Sequence, residues 1–290
     1  MDRFPSPLRY PGGKSRIFPF VSKLFYENDM IGFSYAEPYA GGSGLALRLL
    51  FNEYVNKIYL NDLDRSIHAF WKGVLEHTEE LCEWIKRVDV TIKKWRHYKN
   101  VYLHPDDFTR LELAQATFFL NRTNVSGIIT GGMIGGLAQR SKYNIDARFY
   151  RDESVAKIRM IATFKHRIEL SNLDGVSFID RLNKRKEKIF IYLDPPYFDK
   201  AGELYMNHYV SADHKKLSRH VGKLQKRWMV SYDDHDFILN LYPDNKKVRH
   251  SLARWASNQR GDEILIFADT VQFQNSVSFL RSASVAQTII

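Results

Sequence analysis

Phe33-Ser34-Tyr35-Ala36, then Glu37-Pro38-Tyr39-Ala40-Gly41-Gly42-Ser43-Gly44, then the run Leu45 to Tyr54, then Lys57-Ile58-Tyr59-Leu60: this stretch decides the fold class. It reads as strand, glycine-rich turn, helix and strand, the opening of a βαβ unit. A glycine-rich turn between strand and helix lets backbone approach a ligand closely, and the helix N-terminus offers free N–H groups. Two phosphate-binding motifs are excluded. The dinucleotide fingerprint needs Gly or Ala three residues after Gly44, where Leu47 stands. A phosphate loop built on Gly13-Lys14-Ser15 needs glycine at position 8, which is Leu8.

The second strand ends in Asn61-Asp62. An acidic residue about twenty residues beyond the glycine turn is placed to grip a ribose diol, or to cap the helix that starts near Arg65. A ribose without a pyrophosphate suggests a nucleoside cofactor, and S-adenosylmethionine is the electrophilic one. Further along, helical spacing of Ile67, Phe70, Trp71, Val74 and Leu75 opens a helical block running to about residue 121, and residues 126–143 are glycine-rich. A helix near 152–164 leads back to alternation. Strand 167–171, helix 175–184 and strand 188–193 are followed by helix 212–226, strand 227–231, helix 234–241 and strands near 246–250 and 263–268. Strands alternating with helices predict an α/β protein with a doubly wound sheet, its site at the carboxyl ends of the strands, and the block 65–165 inserted into it.

The apolar run Ile189-Phe190-Ile191-Tyr192-Leu193 delivers Asp194-Pro195-Pro196-Tyr197 to such an end. An exocyclic amine on a base is a poor nucleophile because its lone pair is delocalised into the ring. A carboxylate and a backbone carbonyl that accept its N–H bonds draw that lone pair out and stabilise developing charge. Prolines fix φ and leave carbonyls without competing local donors, and Tyr197 offers a stacking face. A proline-rich turn begun by Asp194 is the bland alternative.

Several ordered stretches carry a family resemblance: Pro7-Leu8-Arg9-Tyr10-Pro11-Gly12-Gly13-Lys14, Glu37 to Gly42, Asn61-Asp62, Phe119-Leu120-Asn121-Arg122-Thr123 and Asp194 to Tyr197. Trp228 to Asp234 and Gly261 to Ile266 follow. Together they resemble the Dam-type DNA adenine-N6 methyltransferases, from about residue 7 to 267. The resemblance implies a Rossmann-like methyltransferase sheet over 1–64 and 166–290, with a mainly helical DNA-recognition domain over 65–165. It implies methyl transfer from S-adenosylmethionine to the N6 amine of an adenine flipped out of duplex DNA. Catalytic residues would be Asp194, Pro195, Pro196 and Tyr197. Tyr10 and Lys14 would contact the cofactor, Lys14 its methionine carboxylate. Glu37, Pro38, Tyr39, Ala40, Gly41, Gly42 and Gly44 would surround it, Asp62 would take the ribose hydroxyls, and Asp194 would lie close to both substrates. Asn172-Leu173 stands where relatives carry an acidic residue and an aromatic, and would hold the cofactor's adenine. Asn121, Arg122 and Asn124 would contact DNA, together with Lys142 in the glycine-rich loop, although a helix-terminating polar cluster fits the first three as well. That loop departs from the familiar adenine methylases, so their target sequence, GATC included, does not carry over.

Composition agrees. The chain has 290 residues, a formal net charge of +10, which suits a polyanionic partner, and one cysteine, Cys82, which rules out an internal disulfide and a multi-cysteine metal site. No metal is expected. With no signal-like or membrane-length apolar run, the expectation is a cytoplasmic, DNA-associated protein of bacterial or phage origin, monomeric or weakly dimeric, without membrane contact and with a cognate restriction nuclease as a candidate partner. Amine methylation of cytosine N4 or RNA, and a DNA-binding module that has lost catalysis, are the rival readings.

Overall fold

A computed structural model describes residues 5–10, 13–198, 209–253, 260–280 and 284–286. Pro11 and Gly12 of the N-terminal motif lie outside the described residues. The chain divides into two compact units. The first holds Lys14–Leu63 and residues from Ser171 onward; the second holds Pro5–Gly13 and Asp64–Leu170. The second unit therefore takes in residues 5–13, which sequence reasoning had assigned with 1–64.

The sheet is built on β1 (Ser34–Glu37), β2 (Lys57–Asn61), β3 (Ile168–Ser171), β4 (Ile189–Leu193), β5 (Arg227–Asp233), β6 (Lys247–Ala253), β7 (Arg260–Phe267) and β8 (Ser284–Ala286), all of the first unit except Ile168–Leu170. Their order in the sheet is β3-β2-β1-β4-β5-β7-β6-β8. β1, β2, β4 and β5 are parallel, whereas β5/β7, β6/β7 and β6/β8 run antiparallel. This is a doubly wound, Rossmann-like sheet. The chain steps outward from β1 to one side, then restarts at β4 on the other, so the switch point lies between β1 and β4, where such sheets bind ligands. Both strands are buried along their whole length, as parallel strands covered on both faces must be. Ala36 pairs with Tyr59 on one side and Ile191 on the other.

Helix α1 (Phe18–Glu27) was not anticipated, although Pro19 near its start and buried Phe20, Val21, Leu24 and Phe25 at helical spacing mark it. Helix α2 (Gly44–Phe51) is shorter than the expected run to Tyr54, because Glu53 turns left-handed at φ 58°. In the second unit, α3 (Arg65–Glu76), α4 (Thr78–Arg87), α5 (Ile92–Leu103), α6 (Arg110–Thr123) and α7 (Arg151–Thr163) enclose an aromatic core that includes Phe70, Trp71, Phe118 and Phe119. Asp64 caps α3 by accepting from Ser66 N, and Thr109 with Glu112 closes a capping box on α6. A Cβ on Gly73 would lie 2.9 Å from that of Ala114, so α3 and α6 approach as closely as glycine allows. Back in the first unit, α8 (Gly175–Asn183), α9 (Ser211–Val221) and the single turn α10 (Asp236–Leu239) complete the described helices; α9 ends at Val221 with Gly222 as its cap, short of the expected residue 226.

Candidate active site

Because β1 and β4 are parallel neighbours, the turn after Glu37 and the motif after Leu193 leave the sheet at the same edge. Asp194 is held from two directions. Ser231 on β5 donates to its Oδ1 at 2.6 Å, and the Ser231 hydroxyl is itself 2.8 Å from that of Tyr192. Lys14 Nζ, on the 3-10 turn Lys14–Ile17, stands 3.2 Å from the same oxygen and donates to the Tyr197 hydroxyl at 2.6 Å. Burial pushes the Asp194 carboxyl up, with Lys14 opposing and Glu263 reinforcing the rise. Its side chain nonetheless keeps 26% of its surface, so a ligand can reach it. Phe198, next after Tyr197, is pinned by its N–H to Asp233 Oδ1 at 2.9 Å.

The glycine turn is equally fixed. Gly41 at φ 45° and Ser43 at φ 48° reverse the chain, and Gly41 N donates to Asp62 Oδ2 at 2.8 Å. Asp62 thus secures the turn, while the helix-cap role considered for it falls to Asp64. Glu37 points inward: Tyr35 donates to it at 3.0 Å, Ala46 N in the first turn of α2 donates as well, and burial raises its carboxyl to about 8. Gly44 packs against Ser15, since a Cβ there would meet Ser15 Oγ at 2.1 Å and force that hydroxyl to turn away; Arg48 also donates to the Ser15 carbonyl at 2.7 Å. That contact seats the turn that carries Lys14. Pro38, Ala40 and Gly42 are buried and Tyr39 is half-buried. A Cβ on Gly175 would fall 2.6 Å from the Tyr39 hydroxyl. Asn61 clasps the Pro38 and Leu173 carbonyls at 2.9 Å each and accepts from Leu173 N at 2.8 Å. Asn172 is exposed and donates to the Asp62 carbonyl at 2.6 Å.

Among the residues expected to touch the cofactor, Tyr10 belongs to the second unit, where its carbonyl accepts from Gly13 N at 3.1 Å; the others belong to the first. Lys14 is engaged with the Asp194–Tyr197 motif. Ser231, Tyr192 and Glu263 were read only as strand residues. Their signal in the sequence is a polar or charged residue inside an apolar strand.

In the second unit, Asn121 and Asn124 are fully buried and do not present their amides for base contact. Asn121 exchanges hydrogen bonds with both backbone groups of Arg9 at 2.8 Å and donates to the Gly127 carbonyl at 2.8 Å. Asn124 accepts from Trp95 Nε1 at 2.7 Å and donates to the carbonyls of Ile128, Ile129 and Gly131. The helix-end reading of this cluster is the one its bonding supports. Arg122 is 6% exposed, with no hydrogen-bond partner for its Nε among the described residues and its guanidinium 5.4 Å from the Tyr150 ring; burial lowers its pKa to about 10. Gly127 is obligatory, since it sits at φ 78° and a Cβ would lie 2.3 Å from the Arg9 carbonyl oxygen. The loop so anchored displays Val125, Leu137, Lys142 and Tyr143, with Lys142 Nζ 5.7 Å and Arg148 5.2 Å from the Tyr143 ring.

A parallel strand delivering Asp-Pro-Pro-Tyr beside a glycine turn at the switch point defines the class of fold, a Rossmann-like sheet with its candidate site at the carboxyl ends of the strands. The profile of the D12 class N6 adenine-specific DNA methyltransferases matches residues 10–256, and the chain belongs to that family. No curated protein matches. Among solved structures, the crystal structure of TrmN from Thermus thermophilus is similar at 13% identity and a TM-score of 0.38, covering 86% of this chain and 48% of that one. The chain thus spans about half the length of that relative. Among the described residues no helix is long and apolar enough to cross a membrane, and no cluster of His, Cys, Asp and Glu could hold a metal.

Proposed function

We propose that this protein is a Dam-type enzyme that transfers a methyl group from S-adenosylmethionine to the N6 amine of an adenine in duplex DNA, after flipping the base from the stack. The observation that carries the reading is Asp194, anchored by Ser231 and Lys14 at the end of β4 and within reach of solvent. The donor set fits the cofactor: acidic Asp62 and Asp194 follow β2 and β4, the two neighbours of β1, and suit a cationic sulfonium nucleoside, and a turn of small residues lets it approach the backbone. The cofactor supplies an electrophilic methyl group. Asp194 and the Pro195 carbonyl accept the two N–H bonds of the amine, which localises the lone pair on nitrogen. Tyr197 stacks on the base, its ring held by the bond from Lys14. Ser231 and Tyr192 fix which way Asp194 faces.

DNA contact is assigned to the exposed Lys142 and Tyr143 and to the net positive charge, with Asn121, Arg122 and Asn124 as the framework of the loop. Incubation of unmethylated DNA with labelled cofactor, followed by nucleoside analysis, tests the function. Label in N6-methyldeoxyadenosine that Asp194→Ala abolishes, with DNA binding retained, is the expected result. Label in N4-methylcytosine, or activity that survives Asp194→Ala, overturns it.

A further inference from the structure

Glu263 stands on β7, paired across the sheet with Asp233 of β5 and His250 of β6. Its side chain is almost fully buried, and among the described residues its Oε2 accepts no hydrogen bond. A carboxylate in that position needs a cation. His250 Nε2 lies 3.9 Å away, but burial and the nearby Lys14 push its imidazole down to about 4, so it is neutral at pH 7. Lys14 Nζ lies 3.5 Å from Oε2. The same ammonium is 3.2 Å from Asp194 and bonded to Tyr197, so one flexible cation stands between two carboxylates. The other titratable groups that feel Glu263 are Tyr192, Tyr197 and Asp194 itself.

The Lys14 ammonium and the Ser231 hydroxyl both engage Asp194 Oδ1, and the ammonium draws on the carboxylate charge that the amine of a target base needs. A carboxylate saturated by an ammonium is a weak acceptor for an amine. We propose that Glu263 is a positioning residue: it is the second anchor that draws Lys14 off Asp194 when the target amine binds, so that Asp194 serves the amine while the buried cation stays neutralised. The proposal rests on the methyltransferase reading of Asp194. It assigns to β7, a strand distant in sequence from the Asp-Pro-Pro-Tyr motif, control over that motif's free acceptor capacity.

The test compares wild type, Glu263→Gln and Glu263→Asp. With unmethylated DNA as substrate, Glu263→Gln should lower kcat/KM for DNA by about tenfold or more, because Lys14 then stays on Asp194, and should leave KM for the cofactor within about twofold. Glu263→Asp, which keeps the charge, should recover part of the loss. Turnover of Glu263→Gln equal to wild type, or an equal loss in both variants, overturns the proposal. Titration of Lys14 by NMR in protein labelled with 15N-lysine gives a readout independent of turnover. Its pKa should fall by about one pH unit in Glu263→Gln, and an unchanged titration overturns the anchor. Wild-type protein that methylates no adenine instead overturns the proposed function, and the Lys14 titration still decides the role of Glu263. Should Glu263→Gln not fold, Glu263→Asp with its shorter reach is titrated in the same way.

Discussion

Glu37 shows how a residue placed by motif can serve a different end. It was expected beside the cofactor, yet its carboxyl turns inward to Tyr35 and to Ala46 in the first turn of α2. Burial raises it from 4.5 to about 8. The folded state therefore holds a proton that the unfolded chain has released, and stability is complete below pH 4.5 and falls as pH rises through 8, by about 1.4 kcal/mol for each pH unit traversed. His250 acts in the opposite sense, since its lowering from 6.5 to about 4 makes stability fall as pH drops through that range. Their slopes cancel between about pH 4.5 and 6.5, leaving a net decline only above it. Glu37→Gln keeps the acceptor and removes the titration. Its melting temperature should hold nearly level from pH 6.5 to 8 while that of wild type declines; parallel declines would show that Glu37 is not the source.

At the scale of elements, the loop after α6 is a framed structure. Asn124 bridges three carbonyls and Trp95, so Asn124→Ala strands several buried polar groups at about 1–3 kcal/mol each. Amide hydrogen exchange within 125–136 should quicken in that variant while the strands of the first unit keep their protection; unchanged exchange would remove Asn124 from this role. The elements differ in how much of them the sequence disclosed. β1, β2 and β4 are legible because each is a short apolar run bounded by turn residues, and Asp194 and Tyr197 are legible because the motif is contiguous. Ser231 and Glu263 are not, because their meaning depends on which strands lie side by side: Ser231 faces the motif only once β5 pairs with β4. Asn121 and Asn124 read two ways in the sequence for a related reason. A planar amide suits a base edge and a backbone equally well, and only the fold shows that Arg9 comes back to meet Asn121.

For the whole molecule, a net charge of +10 predicts affinity for DNA that weakens steeply with salt. Loss of one phosphate contact lowers the slope of log affinity against log salt by about one. Lys142→Ala should show that loss, whereas Arg122→Ala should leave the slope unchanged, because the guanidinium is buried beside the Tyr150 ring. Anisotropy titrations at several salt concentrations decide between them, and a reduced slope for Arg122→Ala would return that residue to the DNA. The order of strands carries a further consequence, for synthesis rather than for binding. β1 can pair with β2 as soon as both have left the ribosome, but its other partner is β4, and Asp64–Leu170 must be translated in between. At about 5–20 residues per second that interval lasts roughly 5–20 s. Throughout it the central strand of the future sheet has one edge with no neighbour, a template for unwanted pairing. The insertion that separates β2 from β3 thus sets a delay on the nascent chain, during which the inserted helices can fold before the sheet closes.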